Sequence, residues 1–128
     1  EGVIQFLLIE GKPQEEVIKM KKDCDIYIDQ IHNRGGWGYG MSSVESLSMG
    51  IVCLTELVKE YRSFIPDHPF INVDKDNLGE KIIELSKNKE LLIKKKIESK
   101  KWVKKYHDIK NVCSSLYGFY EKIYERNK

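Results

Sequence analysis

Residues 35–50 read GGWGYGMSSVESLSMG, and most of the chemistry this chain offers is gathered there. Glycines let backbone come close to a ligand and expose its amides, and a helix beginning just after Gly40 turns its positive end to the same place. That pairing suits a phosphate or diphosphate. The pattern is neither the Gly-x-Gly-x-x-Gly dinucleotide fingerprint nor a phosphate loop closed by Gly-Lys-Ser/Thr, so a purely structural turn is the competing reading. Glu45 follows in the same helix, near Val44 and Leu47, on an element that should be partly buried. A carboxylate there needs partners. These are either two vicinal hydroxyls, as on a ribose, or a lysine. Ser42 and Ser43 lie outside any nucleophile-elbow sequence and read as capping hydroxyls within reach of a phosphate. Trp37 and Tyr39 either stack on a ligand or anchor the loop to the core.

Elsewhere the reactive side chains are scattered. His32, His68 and His107 stand far apart with no carboxylate constellation, so neither a metal site nor acid–base work is expected of them. Cys24, Cys53 and Cys113 are an odd count without metal-ligand spacing and read as reduced, mostly core thiols.

Something must hold the glycine loop in place. Residues 3–9 are almost continuously apolar and bounded by Gly11 and Pro13, which predicts a strand covered on both faces. Pro13 opens a helix with Glu15 and Glu16 in its first turn and Lys19, Lys21 and Lys22 in its last, matching the helix dipole. Residues 26–28 form a second short strand, the glycine loop follows, and a helix runs over residues 41–49 with Gly50 as its C-terminal cap. Residues 51–54 make a third strand. Residues 55–69 lack periodicity and read as a long connection with one helical turn at most. A fourth strand covers residues 70–73, and Asp74 or Asp76 caps a helix spaced by Leu78, Ile82 and Leu85 that Asn88 ends. Two helices close the chain. The first buries Leu92, Ile93, Ile97, Trp102 and Val103, and the last has a core stripe of Ile109, Val112, Cys113, Leu116, Phe119 and Ile123, widened by Tyr117, Tyr120 and Tyr124. Strands alternating with helices specify an α/β fold: a Rossmann-like parallel sheet with helices on both faces, in one domain.

The 128 residues are 41% apolar and 33% charged, which excludes disordered, collagenous and disulfide-scaffold classes. No run reaches the length of a membrane span and no signal peptide is visible, so a cytoplasmic address is expected by default. Charge is unevenly placed. Residues 1–80 hold 8 basic and 14 acidic groups, and residues 81–128 hold 14 basic and 6 acidic. The lysines of residues 94–105 read as a solvated helix face or as a patch for peripheral contact with an anionic membrane. Nucleic acid is not expected, because no RNA-type aromatic motif or helix-turn-helix pattern accompanies them.

The run from Asp25 to Thr55 resembles the donor-binding segment of retaining GT-B glycosyltransferases of the glycosyltransferase group 1 (family 4) type. Cys24 and Asp25 match the Ala-Asp that opens one strand of that family, Gly38, Tyr39 and Gly40 match its Gly-Phe-Gly, Glu45 its second glutamate, and Gly50 its turn glycine. Two positions depart: the family's first glutamate is Trp37 here, and a proline before the next strand is Val52. The resemblance covers most of the chain and implies the C-terminal half of a GT-B fold. The reaction it implies is transfer of a sugar from a nucleoside-diphosphate sugar to an acceptor hydroxyl, with retention and without a metal or other cofactor. Gly38, Tyr39, Gly40, Met41 and Ser42 would face the diphosphate or sugar, Glu45 would hold the ribose hydroxyls, and Gly11, Asn33, Arg34 and Trp37 would supply sugar or base contacts. The family's Arg and Lys diphosphate clamp and its acceptor domain have no counterpart here. The opening on Glu1 suggests a chain shortened at its N-terminus, and residues 109–128 are expected to pack on the absent domain or on a second copy as a two-fold dimer. Such a piece should transfer no sugar alone. The alternatives are a noncatalytic α/β interaction module with a degenerate donor site, and part of a nucleotide-sugar epimerase.

Overall fold

A computed structural model describes residues 4–32, 38–62, 64, 65 and 67–127. Three short strands, β1 (Ile26–Ile28), β2 (Val52–Thr55) and β3 (Ile71–Asn72), form a parallel sheet in the order β1-β2-β3. Ile26 pairs with Val52 and Leu54 with Ile71. Parallel neighbours need crossovers, and the chain supplies α2 (Met41–Ser48) between β1 and β2 and the single turn α3 (Lys59–Arg62) between β2 and β3. Before β1 lies α1 (Gln14–Lys21), and after β3 come α4 (Leu78–Lys87), α5 (Lys89–Tyr106) and α6 (Ile109–Arg126).

The two faces of the sheet carry separate cores. Along β2 successive side chains alternate, so Val52 and Leu54 join Val73 and Leu85 on one face, while Cys53 joins Leu47, Leu57, Phe70 and Trp102 on the other. All four residues of β2 are buried, as a central parallel strand requires. Helix α4 covers the first face through Leu78 and Ile82, and α2 covers the second. Helix α5 serves both: Leu91 and Leu92 belong to the first core, Trp102, Val103 and Tyr106 to the second. Between them it passes the amino ends of the strands, where Lys96 pairs with Asp25 beside β1 and the Lys100 stem lies over Gly50 beside β2.

Gly50 is fixed by its backbone conformation, since the Lys100 side chain that crosses it could move aside for a Cβ. Its φ is +79°, and a Cβ there would stand 2.5 Å from Lys100 Cε. Helix α2 therefore ends in the left-handed turn that only glycine enters without cost. Asn88 ends α4 and starts α5 at once, its Oδ1 accepting from the Leu91 N–H at 2.9 Å. Asp74 accepts from the Asp76 and Asn77 amides, both at 2.9 Å, and Asn77 returns a bond to the Asp74 N–H, which fixes the start of α4.

Four expectations are corrected. Residues 4–10 form no strand, and Phe6 in that run is 75% exposed. An apolar run becomes a strand only against a ladder partner, and none of the three strands pairs with it; the described sheet accordingly has three strands rather than four. Ile93 and Ile97 point outward, because the inward seam of α5 runs through half-buried Leu92 and buried Ser99 and Trp102 instead. The anticipated core stripe of α6 is exposed from Ile109 to Ile123, and no residue of that helix is buried. Of the three thiols only Cys53 is a core group; Cys24 is half-buried and Cys113 exposed.

Candidate functional site

Helix α2 begins at the carboxyl ends of β1 and β2, where open parallel sheets bind their ligands. Its N-cap is Gly40, whose missing side chain leaves the cap to a neighbour. Asp29, the residue after β1, fills that role: its Oδ2 accepts from the Gly40 N–H at 3.2 Å and from the Ser43 hydroxyl. A carboxylate is stabilised there by the partial positive charge of the helix end. The N–H groups of Met41 and Ser42 have no acceptor among the described residues, and the Met41 side chain is 85% exposed. Two amides of the first turn are thus without a partner among the described residues.

Below this turn Glu45 points toward α1. Its Oε1 meets Lys21 Nζ at 2.8 Å and its Oε2 accepts from the exposed Gln14 amide. Lys21 is only 4% exposed, and its ammonium also donates to Ser42 Oγ at 2.9 Å and sits 4.4 Å over the Tyr27 ring. Tyr27 Oη adds a bond to Ser42 Oγ at 3.0 Å. A buried cation is tolerable only when so satisfied. Of the two partners open to Glu45 from the sequence, the lysine is the one in place. Each carboxylate oxygen keeps acceptor capacity, and Gln14 is a partner that can swing away.

The other expected site residues are placed as follows. Gly38 is buried with φ +86°, a Cβ there would lie 3.1 Å from Leu57, and its carbonyl accepts from Thr55 Oγ1 at 3.2 Å. It is a packing glycine. Tyr39 turns its ring into the core, 4.8 Å from Phe70 and edge-on to Trp102 at 5.7 Å, and its hydroxyl lies 3.3 Å from His107 Nε2. Burial pushes the Tyr39 hydroxyl pKa up and the His107 pKa down, so both stay neutral. The Tyr39 side chain anchors the loop to the core. Gly11, with φ +62°, is exposed with open space around it, and no hydrogen bond among the described residues joins it to the α2 cluster. Asn33, Arg34 and Trp37 lie outside the described residues.

Two members of the cluster escape sequence reasoning. Asp29 carries a faint signal, an acid at a strand end before a glycine loop. Lys21 carries none, since nothing distinguishes it from Lys19 and Lys22.

Under the first turn of α2, Ser43 is fully buried and receives a bond from Cys53 Sγ at 3.4 Å. Burial pushes the Cys53 thiol up to about 12, the Ser43 bond offsetting this only in part. The thiolate is the reactive form, so alkylation at neutral pH should modify Cys113 first and Cys24 next, and Cys53 only on unfolding. Mass mapping of a native alkylation series checks that order. Modification of Cys53 alongside Cys113 would show that β2 opens readily.

Among the described residues no group of His, Cys, Asp and Glu is arranged to hold a metal ion, and no helix is long and apolar enough to cross a membrane. No protein-family description, curated protein or solved structure matches this chain.

Proposed function

We propose that the chain is the donor-binding part of a retaining GT-B glycosyltransferase, with the crevice at the start of α2 taking the diphosphate of a nucleoside-diphosphate sugar. The observation that carries this reading is the pair of amides, Met41 and Ser42, without an acceptor among the described residues, at a helix N-terminus on the carboxyl side of a parallel sheet, with Glu45 one turn below. Amides so placed bind phosphate oxygens through both hydrogen bonding and the helix dipole. Glu45, released by Gln14 and held by Lys21, would then meet the ribose hydroxyls.

Strand order lends support. In a doubly wound sheet of order 3-2-1-4-5-6 the last three strands follow one another, as β1, β2 and β3 do. A preceding run would then be strand 3, remote from them, which accounts for an apolar segment over residues 4–10 that pairs with none of the three. On this reading the outward apolar face of α6 is covered by an acceptor domain or by a second copy. The chain by itself, on this reading, performs no transfer, since the reaction also needs acceptor groups and a cationic clamp.

One observation favours the rival reading, a noncatalytic module with a degenerate site. Asp29 already occupies part of the helix end and Lys21 already neutralises Glu45, so the polar groups satisfy one another without a ligand.

Amide NMR separates the two. Titration with UDP and GDP should shift the Met41, Ser42 and Glu45 signals with a dissociation constant of about 0.1 to 1 mM, as expected for half a cleft. Silence at millimolar nucleotide assigns the chain to the noncatalytic class.

A further inference from the structure

Helix α5 is amphipathic twice. Its inward seam holds half-buried Leu92 and buried Ser99 and Trp102. At about 100° per residue, Ile93, Ile97 and Lys104 fall on one line on the opposite side. Ile93 is 58% and Ile97 51% exposed, two β-branched side chains one turn apart with no core to enter. Lys96 and Lys100 flank the line on one side, Lys94 and Lys101 on the other.

On the Lys96 and Lys100 side the line opens into a groove of about 300 Å³ between α5 and the ends of α1 and α2, with Cys24, Met49 and Ile51 along it and Lys22 at its rim. Four acids lie nearby: Asp25 is held by Lys96 and Glu98 by Lys95, Glu90 is in the first turn of α5, and Asp23 is exposed beside Lys22, so the lysines of this face still outnumber the carboxylates left without a lysine. Lys22, Lys100, Lys101 and Lys104 form no close ion pair among the described residues, although Lys101 lies near enough to Glu98 to help lower its pKa.

Nucleic acid would use the lysines and gain nothing from the isoleucines. An anionic bilayer uses both, apolar side chains sinking to the headgroup boundary and lysines meeting the phosphates above them. We infer that this face of α5, with Lys22 and the groove beside it, is a docking surface for an anionic membrane. It lies at the amino ends of the strands, and the first turn of α2 lies at their carboxyl ends. Docking therefore leaves the candidate donor crevice open to water, and the inference stands independently of the proposed activity.

Helix α6 also exposes apolar groups, yet Glu121 and Glu125 alternate there with Lys122 and Arg126, so it offers no preference for anionic lipid. The two helices can be told apart by co-sedimenting the whole chain with vesicles of phosphatidylcholine, alone or with about one-third phosphatidylglycerol, and by titrating a single-stranded RNA in parallel.

Binding is expected only to the phosphatidylglycerol vesicles, and it should weaken as salt rises. The double substitution Lys22→Gln/Lys100→Gln should weaken it about 25-fold, at about fivefold per lysine. Ile93→Ser/Ile97→Ser should weaken it by about tenfold or more even at low salt, with unchanged circular dichroism. Phe119→Ser/Ile123→Ser should bind like the parent. Equal binding to both vesicle types, no binding, loss in the α6 pair instead of the α5 pair, or tighter binding to RNA that ignores the isoleucines would each overturn the inference.

Discussion

Trp102→Ala is expected to lower the melting temperature by at least about 10 °C and to leave a loosened core on the α2 side of the sheet. The indole is 5% exposed and lies 4.9 Å from the His107 ring, 5.5 Å from Phe70, 5.6 Å from Tyr106 and 5.7 Å from Tyr39. Removing it deprives four rings of a common neighbour, and truncation of a buried tryptophan costs about 3–5 kcal/mol. Against a total stability of about 5–15 kcal/mol for a domain, that is a large share. Because Tyr39 and Phe70 belong to the loop before α2 and the approach to β3, near-ultraviolet dichroism should fall along with the melting temperature. A sharp, parent-like melt would mean that α5 packs on the sheet less closely than its ring contacts require.

Glu45→Ala should cost about 2–3 kcal/mol, although a glutamate on a helix surface would ordinarily be dispensable. The reason is Lys21. Its side chain is 5% exposed while that of Glu45 is 26% exposed, so removing the carboxylate strands a buried cation, and only the glutamate's partial exposure tempers the penalty. The reverse change, Lys21→Met, should cost less, since Glu45 can turn to water and keep Gln14. Replacing both, as Lys21→Met/Glu45→Leu, should return stability to within about 1 kcal/mol of the parent. Urea denaturation of the four proteins measures the cycle. If Glu45→Ala proves harmless, the pair is an ordinary surface contact. The same cycle protects the nucleotide test, because lost binding in Glu45→Ala mixes a missing ribose acceptor with a weakened fold, whereas lost binding in the stable double variant, set against Lys21→Met alone, isolates the acceptor.

Local signals in this sequence located what is locally determined. The apolar triplet of β1, the glycine-bounded helix α2 and the Gly50 stop each follow from neighbours a few residues away, and their positions agree with the structure to within a residue or two. Partnership was legible only in part. The run over residues 4–10 has the composition of a strand, but composition does not name the strand it would pair with. Helix α5 carries two apolar stripes, and the pattern alone does not say that Leu92 and Trp102 turn inward while Ile93 and Ile97 turn out. The candidate site divides in the same way. Gly40 and the start of α2 were readable from residue types, whereas the approach of Asp29 to cap that helix, and of Lys21 to Glu45, depends on how α1 and β1 lie against α2.

The Asn88 corner has a mechanical consequence. With one residue serving as the stop of α4 and the start of α5, no slack separates two rods, one seated on one face of the sheet and the other reaching the opposite face. A tilt of α4 must therefore be handed on as a swing of α5, whose far end carries Trp102 and His107 against Tyr39 beside the first turn of α2. The two layers are thus joined through a single backbone unit, and what disturbs the seat of α4 on one face is expected to reach the ring cluster on the other.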